Sequence, residues 1–135
     1  MSGFSNFLEE KVLGYTFCRS SFTIPATFYV ALCTSITSDG DSATEVTTNV
    51  GYAHQPVWWT APVNPGGTIT SSPTVTFGAA TTPWPISVTW VAIVDSVTIG
   101  SRNVWAYGLL DVARTVSTND SLSFTSGGNL TIQLA

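Results

Sequence analysis

Few residues in this 135-residue chain are equipped for chemistry. His54 is the only histidine, and Cys18 and Cys33 are the only cysteines. A cysteine nucleophile needs an imidazole beside it to take its proton. Nothing in the spacing brings His54 to either thiol, so the expectation is an ordinary strand histidine and two buried free thiols. Two cysteines are too few to define a disulfide framework. A structural zinc takes four ligands, more than these three residues supply. Asp39, Asp41 and Glu45 offer alternating oxygen ligands of the kind calcium takes, but without the ordered loop of an EF-hand, and they read as a solvated loop. The chain has neither a nucleophile elbow G-x-S-x-G nor a phosphate-binding glycine loop. The expectation is a non-enzymatic protein with no catalytic residue, no metal and no cofactor.

The aromatic residues are the other candidates. Trp58, Trp59, Trp84, Trp90 and Trp105 are mostly core by pattern. Trp59 and Trp84 each sit beside a proline-containing loop, which marks them as possible exposed anchors. Tryptophan is enriched at interface hot spots, and an exposed indole also stacks on a sugar ring; the sequence leaves both uses open.

The elements that must position these residues read as β. Charged residues are 9% of the sequence against roughly 25% in ordinary soluble domains, so the surface is neutral, rich in hydroxyls and prone to association. Lys11, Arg19, Arg102 and Arg114 are scattered, which excludes the clustered basic surface that nucleic acid requires. No apolar run approaches the ~18 residues of a membrane span. The opening MSGFSNFLEEKVLG lacks the basic and apolar regions of a secretory signal. A single domain is expected from the length.

The expected core is the stretch Ser87 to Asp111, two arms apolar on both faces and therefore a central hairpin covered twice. Gly108 in its second arm reads as a bulge or a close backbone approach. Phe4, Phe7, Leu8, Val12 and Tyr15 recur at helical spacing and predict a helix over about 4–15, capped by Ser5 or Asn6 and stopped near Gly14. Ala26 to Thr34 reads as an inner strand, Ser35 to Val50 as an exposed polar excursion, and Gly51 to Thr60 as an edge strand or a bulge because of Pro56. A Pro and Gly loop over Ala61 to Ser72 precedes an alternating strand over Pro73 to Phe77. Ser121 to Thr125 and Asn129 to Leu134 read as a final strand pair around Gly127-Gly128. The fold class is all-β, an antiparallel β-sandwich or jelly-roll-like barrel of about eight strands with one short N-terminal helix.

In order along the chain, SNFLEEKVLG, PATFYVALCTS, a T-E-V segment before GYAHQPV, PTVTFGAATTPW, VTWVAIVDS, WAYGLLDVARTVSTNDSLSF and NLTIQL carry a resemblance. The chain resembles a family of small virion proteins of tailed bacteriophages, often labelled tail fibre proteins and including capsid decoration, or cement, proteins. WWTAPVNPGG and DSVTIGSRN depart from it. The resemblance implies a protein of the outer capsid surface of the virion, assembled in the host cytoplasm. It would cement the shell by binding major capsid protein subunits, as a homo-oligomer with a trimer favoured and a dimer possible. The alternative is a tail fibre or tail appendage module that takes part in host receptor (glycan) recognition. The expected interface residues are Phe4 and Phe7 on the helix, Asp39, Asp41 and Glu45 in the acidic loop, and Trp59, Pro62 and Trp84 among the aromatic loops.

Overall fold

Val88–Val94 and Val104–Arg114 hydrogen-bond as antiparallel neighbours, and the expectation of a hairpin covered on both faces holds for the first arm and for the start of the second only, since Leu109 and Val112 are 53% and 59% exposed. The computed structural model describes residues 2–37, 39–40, 42–62 and 66–133. In chain order these carry β1 (Ser2–Phe4), α1 (Asn6–Phe17), β2 (Phe28–Ile36), β3 (Ala43–Glu45), a 3-10 turn (Thr48–Val50), β4 (Gln55–Val57), β5 (Thr68–Thr70), β6 (Val75–Phe77), β7 (Val88–Val94), β8 (Val104–Arg114), β9 (Leu122–Phe124) and β10 (Thr131–Gln133). A six-stranded sheet runs β1-β8-β7-β2-β3, and β4 occupies the same edge of β2 as β3. Two ribbons, β5 with β10 and β6 with β9, complete an antiparallel all-β sandwich with one N-terminal helix.

β-Branched and aromatic side chains make β7 a natural strand, and its central place follows from having no wet face. Ile93 lies between Val30 of β2 and Ala106 of β8, and Val91 between Leu32 and Gly108. These residues face the main core, which the ribbons close from the other side with Val75, Phe77 and Phe124. Phe77, 1% exposed, stacks on Tyr52 with centroids 5.7 Å apart and meets Phe124 edge-on at 6.4 Å. Each such ring pair stabilises by about 0.5–1.5 kcal/mol beyond its buried area. On the opposite face of the sheet, Ala31, Cys33 and Ala92 are fully buried among larger neighbours that include Trp90 and Tyr107.

Several expectations are corrected. The helix starts at Asn6, because Ser5 is its cap: the Ser5 hydroxyl accepts from the Leu8 amide at 3.3 Å and donates to the Val104 carbonyl. Phe4 belongs to β1, opposite Ala106. Gly14 does not stop the helix. Its carbonyl accepts from the Cys18 and Ser20 amides, so α1 runs on to Phe17. Gly108 sits in regular register, and the irregularities of this strand pair fall at Val88/Trp90 and Ile93/Val94. The polar excursion is partly ordered against the core, since Val46 is fully buried and Val50 is 8% exposed.

The last two strands do not pair with each other. β9 pairs with β6 and β10 with β5, and Gly127, at φ 85, turns the chain between the two ribbons. This arrangement lets Phe124 and Leu130 both reach the core while giving β5 and β6 ladder partners. Leu134 lies outside the described residues. Cys18 is exposed at the end of α1 and only Cys33 is buried.

Candidate functional site

An apolar groove of about 310 Å³ opens where the first turn of α1, the β1–β8 edge and the β5–β10 ribbon meet. Phe4, Phe28 and Trp105 line one side of it, Trp59, Pro62 and Ile132 the other, and no charged side chain among the described residues contributes. Trp59 is aimed by backbone pairing. It bridges Ser71, while the amide of Thr60 donates to the Thr70 carbonyl at 2.9 Å. Neighbouring residues of an extended chain point opposite ways, which turns Trp58 outward to 54% exposure. Trp105 meets Phe28 edge-on at 4.9 Å and Phe7 at 5.6 Å, and its indole N–H donates to Asp95 Oδ2 at 3.2 Å. Such a groove receives apolar or planar groups and has no side chain that moves a proton.

A second constellation lies beneath the surface. Glu45, with a side chain 5% exposed, accepts from the Tyr52 hydroxyl at 2.6 Å through Oε1, and the same oxygen contacts His54 Nε2. The other His54 nitrogen, Nδ1, donates to the Ser96 carbonyl at 2.7 Å. Arg102 Nη2 lies 3.0 Å from Glu45 Oε2, a contact made by charge, since the pair lacks an aligned N–H···O bond. The Leu32 amide donates to the Tyr52 oxygen at 2.9 Å. Burial, with the Glu45 charge adding to it, pushes the Tyr52 phenol above its ordinary range. The same two causes push the Cys33 thiol up to about 12. A thiol this reluctant to ionise is a poor nucleophile. The cluster therefore acts as an ionic clamp that joins β2, β3, the approach to β4 and the β7–β8 connection.

Residues 3–133 match the family described as Podophage GP4 fiber I protein gp80. The chain belongs to that family. Membership makes it a bacteriophage virion protein of the tail-fibre type. Among curated proteins, none matches the chain.

For this family member the expected interface residues divide. Phe4, Trp59 and Pro62 come together in the groove, with Phe7 packed behind Trp105. Asp39 is exposed, and its carbonyl accepts from the Asn6 amide at 3.0 Å. Asp41 lies outside the described residues. Glu45 is corrected from solvated acid to buried clamp, because an otherwise uncovered carboxylate at that depth requires the donors it has. Trp84 is corrected as well: at 6% exposure it packs edge-on against Tyr52, 5.6 Å away, and presents no anchor. The outward tryptophan is Trp58. His54 precedes β4 and is 3% exposed, so it belongs to the clamp and not to a strand face. Sequence reading missed Phe28 and Trp105 as groove residues and Tyr52 and Arg102 as clamp residues. The available signal for the clamp was scarcity: in a chain with few charges, a lone histidine needs a partner once it is buried.

Proposed function

We propose that this protein is a structural module of a phage tail fibre or tail appendage that takes part in host receptor recognition, acting through contacts and without catalysis. The family match over residues 3–133 carries the reading. The low-charge surface and the outward Trp58, 54% exposed, support it, since an exposed indole offers a stacking platform for a sugar ring. Cementing the capsid by binding major capsid protein would use the same association-prone surface, but the family's description favours a fibre.

Gold-labelled antibody against the protein on intact virions tests the location. Label at the tail, with a copy number in proportion to the tail's other components, is expected. Label over the head, with a copy number tracking the capsid subunits, would return the decoration reading. Receptor recognition is tested by Trp58→Ala, which should lower adsorption of phage to host cells while leaving the protein's melting temperature unchanged.

A further inference from the structure

We infer that α1, together with the segment through Ile24, is an oligomerisation arm that lies in the apolar groove of a second copy of this chain. The accessible surface is 7703 Å². A folded monomer of 14.3 kDa exposes about 6,800 Å² by the usual mass scaling. The excess, about 900 Å², matches the roughly 800 Å² that each partner buries in a stable interface of standard size.

The arm is where uncovered apolar area concentrates. No residue of α1 is buried, and Leu13, Tyr15, Phe17 and Ile24 are 56%, 64%, 76% and 64% exposed. A helix of this length is marginal without a packed apolar face. Its beginning is fastened to its own domain through the Ser5 cap, the packing of Phe7 on Trp105, and Leu8 at the groove. Farther along only rings touch, Tyr15 on Phe22 at 5.8 Å and Phe22 on Trp105 at 6.2 Å, which leaves Leu13, Phe17 and Ile24 uncovered. The groove, free of charged lining, suits apolar side chains, whereas a charged occupant would be desolvated there without compensation. One chain carries both the projection and the receptor, so a second copy supplies everything the contact needs. Mutual exchange of arms closes a dimer, and one-way exchange closes a ring. The inference stands on the chain's own surface and holds whether the protein sits on a fibre or on the shell.

Sedimentation of the full chain across the micromolar range tests it. Wild type is expected to be a dimer or a closed ring. Leu13→Glu and Phe17→Glu, both at exposed positions, should keep the circular dichroism spectrum and weaken association on the order of a hundredfold, about 2.8 kcal/mol. Cys18, exposed at the end of the arm, provides a positional test. In Pro62→Cys, oxidation should link two chains on a non-reducing gel, and adding Cys18→Ser should abolish the link. A wild-type monomer at every concentration, an oligomer indifferent to both glutamate variants, or a Pro62→Cys protein that forms no link between chains would each overturn the inference.

Discussion

Glu45 and His54 stand nine positions apart in the chain and in direct contact inside the fold, where one carboxylate oxygen faces both the imidazole and the Tyr52 hydroxyl. The contact fastens β3 to the approach of β4, and through Ser96 and Arg102 it holds the long connection of the central hairpin. Removing one member of a buried charge group leaves the others uncompensated. Glu45→Ala should therefore destabilise by about 3–5 kcal/mol, measured by urea unfolding. Glu10→Ala, at an exposed helical position, should stay within about 0.5 kcal/mol of wild type.

The two thiols should separate cleanly in a reactivity assay. Cys33 is fully buried, and burial together with the nearby Glu45 charge pushes its thiol up to about 12. Cys18 is exposed. A disulfide reagent at neutral pH should titrate one thiol in the folded protein and the second only in denaturant. Rapid reaction of both in the native state would contradict the burial of Cys33.

Asp95 should contribute to acid sensitivity. Burial raises its carboxyl, but hydrogen bonds from the Asn103 amide at 2.8 Å, the Asn103 side chain at 2.7 Å and the Trp105 indole prevail, and the net shift is downward. A carboxylate whose folded value is depressed adds stability above its unfolded value and loses it as pH falls through the folded one. The contribution should thus be intact at neutrality and decline below about pH 4. Asp95→Asn should flatten this acid limb in unfolding curves followed by tryptophan fluorescence.

Two glycines with left-handed backbones should respond differently to a methyl group. At Gly40, φ +71, a Cβ would come within 2.8 Å of the Ser5 Cβ and 3.0 Å of the Tyr107 ring. At Gly100, φ +83, it would meet nothing within 4 Å. Gly100→Ala should cost about 1–2 kcal/mol for the backbone alone, and Gly40→Ala should add a packing penalty of about 1–3 kcal/mol. Thermal unfolding of the two variants side by side measures the difference.

The parts of this fold that were legible in the sequence are those where one residue pattern admits one arrangement. Val88–Val94 could only be a central strand, because no side of it tolerates water, and Val75 with Phe77 had to point inward. Pro56 held β4 to a sheet edge, where a missing donor costs least. Spacing misled where two patterns coincide: Phe4 fits a helical face and equally a strand that precedes a cap. Proximity misled toward the end of the chain, where β9 and β10 look like a hairpin but each completes a ribbon begun far earlier, as at Phe77↔Leu122 and Ile69↔Ile132. The groove was half legible through Phe4, Trp59 and Pro62. The clamp was not, because its members come from four separate segments and no local period links them.

Those late ribbons also bear on the order in which the protein can be made. β5 and β6 are synthesised midway, yet their ladder partners follow only with β10 and β9, and β1 waits for β8. Pairings so distant along the chain fold slowly, and an unpaired strand edge invites foreign strands in the interval. A chain that terminates before Thr131 would leave β5 permanently without its mate. Chains cut before Thr131 should therefore collect in the insoluble fraction on expression.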